Sequence, residues 1–384
     1  MISERHKKIV IAFFIDFIVS NDDLMGGTEH QLIELIEKLD KKKYLPILIC
    51  LKSNKNNIKI LRDLEIVSKN LNVQSILSIS GFRNTILTAS LLKKYKVDIV
   101  HSFFFDSIFF SYFTAKLAKV KFFITSRRDM GFWYTNQLLF ILKLFNKYTT
   151  KILVNSHAIK MNTILHEKIN KNRIDIIYNG IDLIKIDKYK AINLGTFFQS
   201  SINNDLFIGI VSNFNRPVKR VELFIKAAAL VKKSKNEVKF LIVGGGKLEK
   251  DLRKLTQDLA VEDQVIFCGP QNEVIPYIKN FFIGVLTSDS EGFSNVLLEY
   301  MACGIPAVAT RVGGNVELIQ DGLTGLLVPP GNPDKLAEGI LKLLDNDLLR
   351  ETIIKNARNE VLKRYDWRVK IKEIETYYEN LVNC

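Results

Sequence analysis

Short apolar, β-branched runs alternate with segments of helical period along the chain: IVIAFFIDFI, TEHQLIELIEKL and YLPILICL follow one another near its start. That alternation is what βα units with parallel strands produce. In the first half it predicts strands near 9–18, 44–51, 97–101, 121–125, 151–155 and 173–178, with helical stretches between them such as Asp106–Ala118 and Asn136–Thr149. Between 180 and 205 the periodicity fails and Asn193, Gly195, Ser200, Ser201, Asn203 and Asn204 accumulate, so a domain boundary is expected there. Beyond it, FIGIVS, KFLIVGGG, QVIFCG, FIGVLTS, PAVAT and TGLLVP predict six more strands, and Pro333–Leu344, Asp347–Arg364 and Trp367–Val382 predict closing helices. In the last of these, Ile371, Ile374, Tyr377, Tyr378 and Leu381 share one face, which must dock on something. The expectation is an α/β chain with two Rossmann-like domains, 1–190 and 191–365, whose parallel sheets face each other across a cleft. A C-terminal helix, 366–384, is expected to pack back on the first domain.

Composition supports this and excludes little else. A chain of 384 residues has the length of two domains, and 47% apolar with 25% charged residues is ordinary globular usage. The most apolar stretches, Ile9–Val19 and Phe103–Phe113, are interrupted by Asp16 and Asp106 and are too short to span a bilayer. Arg5, Lys7 and Lys8 ahead of the first run look like a secretory leader, but no small-residue cleavage site follows, and a buried first strand is expected instead. Cys50, Cys268, Cys303 and Cys384 are scattered, with no CxxC or Cys/His spacing suited to a metal. A reducing cytoplasm and no structural metal are expected.

Charge is more informative. The net +14 comes from 31 Lys and Arg against 17 Asp and Glu in residues 1–190, while 191–384 carry 24 of each. The first half is therefore expected to face something anionic: nucleic acid, an acidic membrane surface or a phosphorylated substrate. A Lys-rich solvated surface is the plainer alternative.

The segment that carries most chemistry is TSDSEGFSNVLLEYMACGIPAVATRVGGNVE, Thr287 to Glu317. A strand delivers Glu291 and Gly292, then Ser294 or Asn295 opens a helix with Glu299 about a turn inside. A helix start offers N–H groups and positive dipole to an anion, and the flanking carboxylates can accept bonds from hydroxyls. A diphosphate between two polyols, which is a nucleotide-sugar, fits. Gly26 and Gly27 precede a helix in the same way, and Lys219 with Arg216 lie at a helix start after LFIGIVS, placed to neutralise a leaving diphosphate. Gly244–Gly246 are not followed by the GxGxxG spacing of a dinucleotide site.

Glu291-GFSNVLL-Glu299, continued by Met301 to Pro306 and Gly313-Gly314, closely resembles the donor-site signature of glycosyltransferase family 4, retaining enzymes of the GT-B fold. Gly26-Gly27-Thr28-Glu29, Ile177 to Asp182, Pro217 to Arg220, Val243 to Gly246, Phe267 to Gly269 and Asn332-Pro333 extend the match. The resemblance implies that Gly26, Gly27, Gly292, Phe293, Ser294, Asn295, Val296 and Glu299 bind the donor. It places Glu291, Lys219 and Arg216 at the reacting centre and calls for no metal or cofactor. A nucleotide-sugar donor, with UDP preferred from family frequency, and a glycan or lipid-linked acceptor are the implied substrates, with the protein peripheral at the cytoplasmic face of a membrane. Two departures stand out: Asn213 occupies the position aligned with a family Arg, and Ser126-Arg127-Arg128 replaces a loop His. His101 is a second active-site histidine candidate or a structural residue; Arg127 and Arg128 grip an acceptor phosphate or are ordinary surface arginines. The aromatics at 103–113 and 132–134 are core, or in part a rim for a lipid-linked acceptor. Two other readings stand beside the transferase: a non-catalytic partner subunit on the same fold, and a nucleic-acid or anionic-surface binding protein. No nucleic-acid-binding motif supports the last.

Overall fold

The structure is a computed structural model that describes residues 8–19, 25–52, 54–73, 75–197 and 206–383. Ser200, Ser201, Asn203 and Asn204 of the expected linker, and Arg5, Lys7 and Cys384, lie outside the described residues. Two compact units are present, one of residues up to Asn179 together with those from Lys370, the other Gly180–Val369. The division therefore comes ahead of the polar linker, and residues 180–190, assigned from sequence to the first domain, join the second unit. Lys279 donates to the Tyr189 carbonyl at 2.6 Å and Arg358 pairs with Asp187 at 2.6 Å within that unit.

The first unit is built on seven parallel strands: β1 (Ile9–Ile15), β2 (Tyr44–Cys50), β3 (Val67–Asn70), β4 (Ile99–Ser102), β5 (Phe122–Arg127), β6 (Lys151–Val154) and β7 (Ile174–Ile176), in spatial order 3-2-1-4-5-6-7. Strand β1 lies opposite β2 with Ile9 beside Tyr44 and opposite β4 with Ile11 beside Ile99. Helices cover both faces of such a sheet, so β1 reads as an unbroken apolar run rather than an alternating one. Strand β3 escaped the pattern because VSKN is a half-buried edge strand with one apolar residue. The last helix, Trp367–Asn383, docks on this unit from Lys370 onward: the Tyr44 hydroxyl donates to the Glu375 carbonyl, and the Tyr378 hydroxyl meets His101 at 2.8 Å.

The second unit carries six parallel strands, β8 (Leu206–Val211), β9 (Val238–Val243), β10 (Val265–Gly269), β11 (Ile283–Leu286), β12 (Ala307–Thr310) and β13 (Leu326–Val328), in order 10-9-8-11-12-13. Its core packs Ile208, Ile210, Phe240, Ile242, Val285 and Val308 against Phe224, Ile340 and Leu343. Gly209 and Gly284 sit side by side in β8 and β11, where a Cβ would lie 2.2 Å from the Phe281 ring and 2.5 Å from the Tyr300 ring. Those rings fill the space the glycines leave, and the Tyr300 hydroxyl accepts from the Val211 amide at 3.0 Å, fixing the Asn295–Cys303 helix to the sheet. The strand order reverses between β1 and β4 in one sheet and between β8 and β11 in the other, the positions at whose carboxyl ends open α/β sheets bind ligands.

Candidate active site

Three loops converge at the carboxyl ends of β8, β9 and β11. Gly244 has φ +136°, and a Cβ there would lie 1.9 Å from the Ser212 carbonyl oxygen; one on Gly246 would lie 2.4 Å from Phe214. The glycine run thus lets the loop after β9 lie directly on the loop after β8, where Phe214 N donates to Gly245 O at 3.2 Å and Lys247 N to Asn215 Oδ1 at 2.9 Å. Asn213 accepts from the Asn215 amide, so its side chain shapes this loop. The chain then enters the 3-10 turn Pro217–Lys219, with Arg216 exposed at its start and Arg220 in the left-handed region at its end.

That turn is fastened to the loop after β11. Asp289 N donates to Val218 O at 2.9 Å, Thr287 Oγ1 to Lys219 O at 2.8 Å, and Arg220 pairs with Asp289 at 2.7 Å. The result is a 2.7 Å ion pair between Lys219 Nζ and Glu291 Oε1, where Ser288 Oγ also donates at 2.6 Å. Both bonds end on Oε1, so Oε2 remains available to accept from a ligand hydroxyl. Ser288 went unread in the sequence, although it stands three residues before a carboxylate already singled out.

Behind Glu291 the Gly313-Gly314 pair makes room for the loop. A Cβ on Gly313 would lie 1.8 Å from Glu291 O, and one on Gly314 2.1 Å from Gly292 O; Gly314 N donates to Glu291 O at 3.0 Å. Ser294 caps the Asn295–Cys303 helix by accepting from Leu297 N at 3.2 Å, which leaves the amides of Asn295 and Val296 at the helix's positive end. Glu299, half-buried, lies one turn further in. Glu291, Lys219, Gly292, Ser294, Asn295, Val296 and Glu299 are thus gathered by two adjacent loops and one helix start. Phe293 differs in part: its ring packs on Tyr365 with centroids 5.9 Å apart, so its side chain anchors the loop.

In the first unit Gly26 is the N-cap of the Gly27–Lys38 helix, and a Cβ on it would lie 2.4 Å from Glu29 Oε2. Glu29 and Asp16, at the end of β1, are both buried; burial pushes each carboxyl up to about 7, with the charge of Asp106 adding to the rise of Asp16 and the charge of Asp16 to that of Glu29. Asp16 accepts from the amide and hydroxyl of Ser107 at 2.7 and 2.5 Å. A carboxylate interrupting an apolar strand was the legible signal of this pair.

His101 is not placed for proton transfer. It is 1% exposed, and Nδ1 is bonded to the Tyr378 hydroxyl and Nε2 to Ser126 Oγ, both at 2.8 Å, with its ring stacked on Phe103. Burial, with the charge of Arg128, pushes its pKa well below the ordinary value, so it stays neutral and ties the last helix to the sheet. Arg127 also leaves the list of acceptor residues. It is 3% exposed and its guanidinium is committed to Glu167 through bonds of 2.6 and 2.8 Å, while Glu167 also accepts from Tyr134 and Asn146. Arg128 points elsewhere, its Nη1 donating to Asn179 Oδ1 at 2.8 Å. Among the described residues no group of three or more His, Cys, Asp or Glu is arranged to hold a metal ion, and no helix is long and apolar enough to cross a membrane.

Residues 25–185 match the model of Glycosyltransferase Family 4, and residues 196–360 that of Glycosyl transferases group 1. The chain belongs to the family 4 glycosyltransferases. It is 33% identical to the N-acetyl-alpha-D-glucosaminyl L-malate synthase of Bacillus anthracis over 59% of this chain, and spans 58% of that relative's length. It is 24% identical to the UDP-Gal:alpha-D-GlcNAc-diphosphoundecaprenol alpha-1,3-galactosyltransferase of Escherichia coli over 98% of both chains. The HepE protein of Anabaena in complex with UDP and glucose superposes with a TM-score of 0.82 at 21% identity, covering 97% of this chain and 100% of that one, which gives the fold as GT-B.

Proposed function

We propose that the protein is a retaining glycosyltransferase that moves a sugar from a nucleotide-diphosphate sugar to a hydroxyl of a lipid-linked glycan in surface polysaccharide synthesis. The carrying observation is Glu291, held on one oxygen by Lys219 and Ser288 at the mouth of the Asn295–Cys303 helix. The helix start and Lys219 take the donor diphosphate, Arg216 adding charge from the exposed side; these fixed positive groups act on the leaving group without a divalent ion. Glu299 accepts from the ribose and Glu291 Oε2 from hydroxyls of the transferred sugar. A carboxylate already paired with a lysine and a serine is a poor nucleophile, which favours an orienting role over a covalent one. The sugar–phosphate bond breaks, the acceptor oxygen bonds to the anomeric carbon on the same face, and the departing phosphate takes the acceptor proton. The Anabaena protein is named with UDP and the Escherichia coli relative with a UDP-sugar and a diphosphoundecaprenol acceptor, which supports UDP and a lipid-linked acceptor here.

A specific feature of the first unit supports work at an anionic bilayer at the cytoplasmic face. The Ile79–Lys94 helix carries large apolar residues on its exposed face: it buries Gly81, Thr85, Thr88, Ala89 and Leu92 and exposes Phe82, Ile86 and Leu87, with Ile79 91% and the preceding Leu77 86% exposed. Residues 66–166 contain 14 Lys and Arg and only Asp98, Asp106 and Asp129 as carboxylates. Apolar side chains pointing outward from a cationic, acid-poor surface suit insertion at an anionic interface.

Thermal stabilisation by a panel of UDP-, GDP- and dTDP-sugars tests the donor assignment. Glu299→Ala should weaken donor binding, and Glu291→Ala should lower turnover more than affinity. Wild-type kinetics in both variants remove the site assignment, and donor binding with no turnover by the wild type under any acceptor points to the non-catalytic partner reading.

A further inference from the structure

Adjacent arginines at the end of β5 have opposite surroundings. Arg127 has a carboxylate built in, Glu167, at 2.6 Å. Arg128, the next residue, is partly buried over the Phe103 ring, 5.5 Å from its centroid, and forms no ion pair with an Asp or Glu among the described residues. Its Nη1 donates to Asn179 Oδ1, a neutral acceptor, and its Nε is buried with no hydrogen-bond partner. Asp129, the next carboxylate in the chain, is turned away and accepts from Gly131 N and Trp133 Nε1. Burial accordingly pushes the Arg128 guanidinium down to about 10.

The neighbours hold the guanidinium in place. Asn155, 2% exposed at the end of β6, donates its Nδ2 to Asn179 Oδ1 at 3.3 Å, and the next residue, Ser156, caps the His157–Glu167 helix. The carboxyl ends of β5, β6 and β7 thus bring together a guanidinium, two amide side chains and a helix start, with Arg128 supplying the charge. Holding a buried cation without a counter-ion costs stability, and an oxyanion that accepts from Nε and a terminal nitrogen together recovers it.

We propose that Arg128, backed by Asn155 and Asn179, is the receptor for an oxyanion on the acceptor substrate, a phosphate or carboxylate group. This rests on the transferase reading above and adds the acceptor's charged group to it. The guanidinium fork takes two oxygens of the anion, and the bond to Asn179 holds its plane. Arg127 has no part in binding; its ion pair with Glu167 fixes the segment from which Arg128 projects. A diphosphate linkage to a lipid and a carboxylate on a small acceptor are the two sources of such a group.

The test uses the full chain with UDP saturating, so that the donor loops are occupied, and measures binding of inorganic pyrophosphate and of a hydroxydicarboxylate calorimetrically. The wild type should bind one of the two, and Arg128→Gln should weaken that binding at least 30-fold, with Arg128→Lys intermediate because it keeps charge but loses the fork. Whichever probe responds identifies the source. Equal binding by wild type and Arg128→Gln, or no binding of either probe by the wild type, overturns the proposal. A second readout separates it from a structural role: Arg128→Gln should melt at or above the wild-type temperature without ligand, and a fall as large as that of Arg127→Met counts against it. UDP affinity should be unchanged in Arg128→Gln; if the wild type binds no nucleotide or nucleotide-sugar, the transferase reading fails on its own.

Discussion

Replacing Arg127 by Met tests whether the loop after β5 is held by a buried ion pair. The Arg127 and Glu167 side chains are 3% and 0% exposed, and the guanidinium reaches both carboxylate oxygens, at 2.6 and 2.8 Å. Methionine fills similar space but leaves Glu167 with only the neutral Tyr134 and Asn146 donors, each at 2.8 Å. A buried carboxylate stripped of its cation costs about 3–5 kcal/mol. The exposed pair Lys43–Glu379, with side chains 58% and 38% exposed, should contribute far less by comparison, because solvent screens it. Urea unfolding, followed by circular dichroism and fluorescence with Trp133 as a reporter beside the pair, measures the difference. Its pH dependence has a definite sign. Burial favours the protonated form of Glu167, but the charge and hydrogen bonds of Arg127, helped by Asn146 and Tyr134, outweigh it and lower the pKa. A depressed carboxylate contributes stability above its unfolded pKa and loses it as pH falls through the folded one. In Arg127→Met burial is opposed only by the Tyr134 and Asn146 hydrogen bonds, the pKa rises, and the variant gains stability as pH falls toward the unfolded value. The gap between wild type and variant should therefore narrow from pH 7.5 to pH 5. A loss below about 1 kcal/mol at pH 7.5, or a gap that stays constant with pH, refutes the reasoning.

Asp16→Asn should remove a pH dependence of the opposite sign. A carboxyl raised from 3.8 to about 7 stabilises the fold below the unfolded pKa and loses that contribution as pH rises through 7, on the order of 4 kcal/mol, so the variant should gain on the wild type between pH 5 and pH 8; parallel curves contradict this. Transfer activity should survive chelation of divalent ions, and complete loss restored by Mg2+ or Mn2+ argues against phosphate stabilisation by Lys219 and the helix start. The protein should sediment with vesicles rich in anionic lipid and not with neutral ones, with release by salt and weakening by Phe82→Ser with Ile86→Ser; equal partition into both leaves the exposed apolar residues of that helix without this role.

The parallel-sheet architecture was legible because a strand covered on both faces must be apolar throughout, and β1, β2, β8 and β11 each show such a run. So was the local shape of the Glu291–Glu299 segment, because a carboxylate, a glycine and a capped helix start are local features that survive any packing. Strand β3 was not, since an edge strand of VSKN borrows its identity from the neighbour that pairs with it. Nor could sequence distinguish Arg127 from Arg128: one is neutralised by Glu167, forty residues away, and the other is left with Asn179, fifty-one away. His101 was ambiguous for the same reason, because its two hydroxyl partners come from β5 and from the last helix, 277 positions along the chain. Sequence determines what each segment can bury and where each helix begins. Which charge meets which is decided by tertiary structure, because desolvation and pairing depend on atoms that only folding brings within a few ångströms.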